Sequence, residues 1–430
     1  MSQAIPAESD NSLWTQTAVA GPDCDRLQES MTVDVLVVGA GFTGLSCALH
    51  LAEQGVSVAV LEARSIGFGG SGRNAGLVNA GVWQTPDHVS RVLGSEAGQR
   101  FNQVLCDSPQ KVFDLIARYQ IDCEAQQCGT VNIAHKASAL KYLEQRCRQI
   151  QGLGSGVRLI DEAESQRISG SGYYRFGGIH DPNAGTIQPL SYVRGLAKAA
   201  LSQGVVIYEN SPLVSLQQQE TRWQAVTPEG QVMADQVIMA TNAYADRHCL
   251  GTRESTIPVF IFHCATGVLP DAIQNRLIPE RQGLWDTQTL LTSSRIDGQG
   301  RLVMSSAGSL YGPQGGVRQN WMQRMRDRLY PETRGIPWES HWTGQIGVTS
   351  SKILRVQRLA PGVFAPAGYN GRGIGTGTVI GLELAQLLLQ NRESDFPFPI
   401  ENAYREPLRK TRGAYYQWGT LALQMTGNRI

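Results

Sequence analysis

The chain lacks any CxxC pair: its eight cysteines, Cys24, Cys47, Cys106, Cys123, Cys128, Cys147, Cys249 and Cys264, are scattered over 430 residues. That spacing is neither a zinc ribbon nor a disulfide scaffold, so no metal is expected and a reducing cytoplasm is the expected compartment. Charge of one sign is also lacking. Lys and Arg total 38 against 37 Asp and Glu, a formal charge of +1, so no broad field is available to hold nucleic acid. The first thirty residues lack the basic start and continuous apolar run of a secretory signal. No stretch approaches the ~18 uninterrupted apolar residues of a membrane span. The expectation is a cytoplasmic protein, attached at most peripherally to the inner face of a membrane.

Glycine, by contrast, is abundant. The 47 glycines among 430 residues exceed the roughly 7% usual in proteins, which points to many tight turns and close backbone approaches around a large ligand. The length suits two to three domains, and 41% hydrophobic residues suffice for sizeable cores.

Residues 1–32 are polar and irregular, a lead-in that packs Leu13 and Trp14 onto the body. From Val33 the pattern becomes a buried apolar strand, a glycine turn, a helix to about Gln54 and a second strand ending at Glu62, a complete βαβ unit. Residues 89–156 read as largely helical and 248–345 as β-rich, together a substrate domain. The stretches 33–88, 157–247 and 346–392 read as a discontinuous dinucleotide-binding domain. The tail 393–430 joins basic residues to Tyr415, Tyr416, Trp418, Leu421 and Leu423. Such a segment either packs on the body or lies at a membrane interface, and packing is the expected outcome.

Gly39, Gly41 and Gly44 form GxGxxG between the first strand and helix, with Phe42 and Thr43 inside the turn. Glycines there permit the turn and let a pyrophosphate reach N–H groups at the helix N-terminus. Glu62, followed by Ala63, closes the next strand about twenty positions after Gly41, where a carboxylate accepts from ribose hydroxyls. These features do not separate FAD from NAD. Two further glycine clusters, 67–81 and 368–378, favour FAD, because a longer and more rigid cofactor needs extra loops, with Arg73 and Arg372 placed to hydrogen-bond it.

The units VVGAGFTGLSCALHLAEQG, GGSGRNAG, DPNAGTIQPLSYVRGLAKAA, ATNAY and GYNGRGI resemble, in this order, the D-amino-acid-oxidase superfamily. Within it they are most similar to bacterial oxidases of glycine, sarcosine, γ-glutamylputrescine and L-pipecolate, with GFGGSGRNAGLVNAGVW nearest the L-pipecolate branch. The resemblance implies an α/β fold: a Rossmann-type FAD-binding domain and a second, α+β domain whose sheet covers the flavin. It implies hydride transfer from a CH–N bond to flavin N5, best matched by L-pipecolate going to Δ1-piperideine-6-carboxylate. Oxidation of γ-glutamylputrescine or another amine is the alternative, and a non-catalytic flavin-binding protein the alternative of another class. Reoxidation would use dioxygen or a respiratory acceptor.

Carried over by position, the resemblance assigns the phosphate turn to Gly39, Gly41, Phe42, Thr43 and Gly44, and the ribose to Glu62 and Ala63. Gly70, Ser71, Arg73 and Asn74 fall to the loop beneath the flavin, Val214 to the adenine, and Asn242 to the ATNAY segment. Gly371, Arg372, Gly373 and Ile374 fall to the pyrimidine side of the ring. No cysteine follows Cys264, so the attachment seen near that last loop in some sarcosine oxidases has no counterpart and the FAD is expected to be non-covalent. For the substrate carboxylate the candidates are Arg295 and Tyr311, with Arg301 a turn residue. His263, His341 and Lys352 are candidates for tuning proton transfer or oxygen reactivity, each set against the alternative of a satisfied structural group, which is the expected outcome.

Overall fold

The computed structural model describes residues 12–426; the expectations for 1–11 and 427–430 lie outside the described residues. The strand Ser30–Val38 sits inside a nine-stranded sheet, parallel to Val58–Leu61 on one side and to Gln231–Met239 on the other. Val35, Leu36, Val37 and Val38 are all buried, because an interior parallel strand is covered on both faces and reads as a continuous apolar run. Each such side chain contributes about 1.5–3 kcal/mol of burial. Val206–Tyr208, Val363–Ala367, Arg355–Ala360 and Ile400–Asn402 extend the sheet, and Ser215–Gln219 and Arg222–Val226 form an antiparallel arm.

The helix Phe42–Ala52 packs on Gly373–Gln390 at close range. A Cβ on Gly381 would lie 2.6 Å from the Thr43 carbonyl oxygen, so only glycine lets these two backbones approach. Ser46 Oγ donates to the Thr378 carbonyl at 2.6 Å, and the Thr43 and Tyr369 hydroxyls are 2.7 Å apart. The pairing brings the N-termini of both helices to one end of the first sheet.

A second, eight-stranded sheet runs in the order Trp338–Val348, Ile257–Val268, Arg301–Ala307, Ser293–Ile296, Gly283–Asp286, Thr130–Ile133, Gly178–Asp181, Arg158–Ile160. The last two of these strands correct the expected division. They fall within 157–247, assigned to the dinucleotide domain, yet they pair with Thr130–Ile133. Their brevity hid them: short strands in a polar setting show no period. The expected tail also divides, since Ile400–Asn402 joins the first sheet while Arg409–Thr426 packs on Ile257–Val268 and on the helix Gly315–Leu329. Buried Arg318 fixes that last helix by donating to Gln424 Oε1 at 2.6 Å and to the Gln417 carbonyl at 3.1 Å. Leu13 and Trp14 are buried, as expected.

Candidate active site

Between the two sheets lies a cavity of about 1460 Å³, above the roughly 300–1,000 Å³ of ordinary ligand pockets. Its floor begins where the first strand ends. Gly39 has φ +111°, a conformation L side chains rarely adopt, and a Cβ on Gly44 would lie 2.0 Å from the Gly39 carbonyl oxygen. The turn therefore tolerates no side chain at either position and keeps backbone facing the cleft. Ser71 Oγ accepts from the Phe42 N–H at 3.0 Å, tying the second glycine cluster to the first.

Glu62 lies beside this turn, its two carboxylate oxygens accepting from the Ala40 and Arg64 N–H groups, each at 2.9 Å. Burial raises its pKa, against the pull of those N–H donors. Arg73 is buried and donates through Nε to the Phe68 carbonyl at 2.8 Å, with its guanidinium over the Phe68 ring. Asn74 closes the same loop by donating to the Gly70 and Ser71 carbonyls and accepting from the Gly76 N–H. At the end of Gln231–Met239, Thr241 Oγ1 and Asn242 Oδ1 are buried without partners among the described residues, and both residues line the cleft. A glycine-bared strand end, a carboxylate on the neighbouring strand and orphaned polar atoms between them fit a dinucleotide such as FAD. Cys249 lines the cavity as a thiol donating to Asp246 at 3.4 Å, its pKa pushed up to about 12 by burial.

Most of the expected cofactor residues line this one cavity: Gly39, Gly41, Phe42, Thr43, Glu62, Ala63, Gly70, Ser71, Arg73, Asn74, Asn242, Gly371, Arg372, Gly373 and Ile374. Gly44 lies just behind, at the turn's closest backbone contact. Val214 requires correction. It is exposed, its N–H donates to the Val226 carbonyl at 2.7 Å, and the cleft is lined instead by Pro212 and Leu213. The alternation of a short strand start left the two neighbours indistinguishable in sequence.

The roof overturns two of three expected catalytic positions. Arg295 is buried away from the cavity, where it donates to the Gly76 carbonyl at 3.1 Å and to the Ile187 carbonyl and covers the Trp14 ring. The Tyr311 hydroxyl is buried outside the cleft lining, without a partner among the described residues. Arg301 pairs with Asp297 at 3.0 Å, and His341 is exposed. His263 does face the cavity. It stacks on Trp342 with ring centroids 4.9 Å apart and lies 2.6 Å from Ser305 Oγ, while burial and the Arg73 charge hold its pKa down to about 3. It is thus a neutral ring at physiological pH. Lys352 also lines the cleft, as do Arg409 and Tyr416 from the last helix.

Arg372 lies against a touching pair of tryptophans that the sequence did not single out. Its guanidinium lies 4.7 Å from the Trp83 centroid and 4.8 Å from that of Trp285. Nη1 donates to the Ala80 carbonyl at 2.5 Å, and burial together with the Arg146 charge lowers its pKa to about 9. Tryptophans this far apart in sequence carry no joint signal there.

Two sheets enclosing a glycine-bared βαβ turn, with a second domain as lid, define a dinucleotide-binding oxidoreductase. The family described as DAO, FAD-dependent oxidoreductase, matches residues 34–387, and the chain belongs to it. It is 30% identical over 421 residues to the gamma-glutamylputrescine oxidoreductase of Escherichia coli K12, covering 95% of this chain and 98% of that protein. The crystal structure of glycine oxidase from Geobacillus kaustophilus superposes with a TM-score of 0.70 at 21% identity, over 86% of this chain and 98% of that one. L-proline dehydrogenase from P. horikoshii gives 0.70 at 16% identity, over 91% and 99%. The protein is an FAD-dependent oxidoreductase acting on an amine or amino acid. Among the described residues no helix is long and apolar enough to cross a membrane.

Proposed function

We propose that the chain oxidises the terminal CH–NH2 group of an amine carried on a flexible chain, with γ-glutamylputrescine the best candidate. The observation that carries this reading is the roof: the strands of the second sheet contribute no arginine to the cleft, since Arg295 is committed to the Gly76 and Ile187 carbonyls. A small amino acid held under that sheet would find no cation on the sheet itself, because Arg372 and Lys352 reach the cleft from segments outside its strands. The roof offers Ile261, Leu291, Ser293 and Ser305 instead, an apolar and hydroxyl-bearing surface that favours the neutral amine over the ammonium. The likeness to gamma-glutamylputrescine oxidoreductase over nearly the whole chain supports the same substrate class.

When bound, FAD supplies the hydride acceptor at N5. The carbon gives up a hydride and the nitrogen a proton, leaving an imine that water converts to aldehyde and ammonia. The protein's part is to desolvate the amine and orient its carbon. His263, its pKa lowered by burial and held against Trp342 and Ser305, presents a neutral ring to the cleft.

L-pipecolate is the second reading, favoured by Arg372 at the cleft wall, the cation an α-carboxylate would seek. Anaerobic addition of γ-glutamylputrescine, then L-pipecolate, sarcosine and D-amino acids, to the yellow holoenzyme decides between them. Bleaching by the first alone supports the proposal; bleaching by L-pipecolate alone reverses the order. Oxygen consumption during turnover then separates dioxygen from a respiratory acceptor.

A further inference from the structure

Beside the main cleft lies a second cavity of about 70 Å³, several times the ~10–15 Å³ that one water needs. Asn79, Trp285 and Arg372 line both spaces, so the small cavity adjoins the large one with these three side chains at their boundary. Its walls carry opposite charges. Arg372 is 8% exposed and its Nε is buried without a partner among the described residues. Asn132 is 7% exposed, on the strand Thr130–Ile133, and its Oδ1 likewise has no partner among them. Asp181, on the adjacent strand, lines the same space, and burial raises its pKa. The other cation at the cavity, Arg146, is spent on the loop: it donates to the Val82 carbonyl at 2.6 Å and the Trp83 carbonyl at 2.7 Å. Neither arginine forms an ion pair among the described residues.

A buried cation with an unused N–H, and a half-buried carboxylate that accepts from the Asn183 N–H at 3.1 Å and keeps acceptor capacity beside an unused amide oxygen, have the complementarity of an α-amino-acid head group. A simple anion would be opposed by Asp181, and a simple ammonium by Arg372 and Arg146. A zwitterion satisfies both walls.

We infer that this side cavity is a recognition subsite for the α-amino-acid end of the substrate, its carboxylate on Arg372 and its ammonium on Asp181 and Asn132, while the amine at the far end lies in the main cleft. The inference rests on the flexible-amine reading and names the rest of that substrate. The main cleft then holds the reacting carbon, and the side cavity sets which amines are oxidised.

The test uses the FAD-loaded enzyme and two ligands that separate head group from chemistry. N5-butyl-L-glutamine has the head group but no terminal amine; calorimetric titration is expected to show binding that Asp181→Asn and Asn132→Leu each weaken about tenfold. N-glutarylputrescine has the amine but no α-ammonium; its KM is expected to exceed that of γ-glutamylputrescine about tenfold in the native enzyme and to be unmoved by Asp181→Asn. In that variant the KM for γ-glutamylputrescine should rise about tenfold with kcat within threefold. Absence of N5-butyl-L-glutamine binding, or equal response of both amines to Asp181→Asn, overturns the subsite even when amines bleach the flavin. Binding of N5-butyl-L-glutamine with no amine bleaching the flavin sustains the subsite and removes the oxidation reading alone.

Discussion

The turn Gly39–Gly44 and the strands Ile257–Val268 and Arg301–Ala307 face one cleft from opposite sides by different means. The turn presents backbone: Gly39 and Gly44 have no room for a side chain, and Gly39, Ala40 and Gly41 line the cavity. The strands present side chains, His263, Ser305 and Ile261 among them, whose identities the backbone does not dictate. A backbone site fixes its residue types by sterics; a side-chain site leaves them free to follow the substrate.

The turn is the side more sensitive to substitution. Gly44→Ala places a methyl 2.0 Å from the Gly39 carbonyl oxygen, and the variant is expected to purify without its flavin band near 450 nm, the largest effect here. On the roof side, Arg295→Met should lower stability by about 2–3 kcal/mol in urea titration, because buried carbonyls lose a charged donor. The KM for the amine and FAD content should stay within threefold. A large rise in KM with unchanged stability would return Arg295 to the substrate.

His263 sharpens the comparison through pH. Its folded pKa is about 3, against about 6.5 in the unfolded chain. Between these values the unfolded chain holds the proton and the folded one does not. Stability from this group is therefore complete above pH 6.5 and lost as pH falls towards 3, by about 1.4 kcal/mol per unit. Unfolding of the native protein and His263→Gln at pH 7.5 and pH 5 should show the variant losing less. Equal losses would place the proton elsewhere. The smallest effect is expected at the adenosine end. Val214→Ala should leave the FAD dissociation constant within twofold, whereas Leu213→Asp, in the cleft wall, should weaken it about tenfold or more.

What was legible in the sequence follows the same division. The GxGxxG turn, Glu62 and the loops at 70–74 and 371–374 were visible because their glycines and fixed spacing answer to backbone geometry. Val214, carried over for its backbone, lies one residue beyond the cleft lining, since one step along an extended segment exchanges wall for solvent. Arg295 and Tyr311 were chosen for their chemistry, and chemistry alone does not tell a buried brace from a ligand: the Arg295 guanidinium serves carbonyls at Gly76 and Ile187, over a hundred positions away. Trp83, Asn132 and Asp181 gather around Arg372 only through the pairing of two sheets, and that pairing left no local trace in the chain.

The tryptophan pair around Arg372 has an optical consequence. Trp83 and Trp285 meet edge to face, with centroids 5.4 Å apart at 84°, and both border the cavity. Indole fluorescence responds to a nearby cation and to an absorbing acceptor, so these two rings act as built-in emitters at the junction of the large and small spaces. Substituting phenylalanine at one and then the other would isolate their signal from the remaining tryptophans. Ligand arrival at that junction would then register as a change in emission, on a timescale set by entry itself, without a label and before any bond is broken.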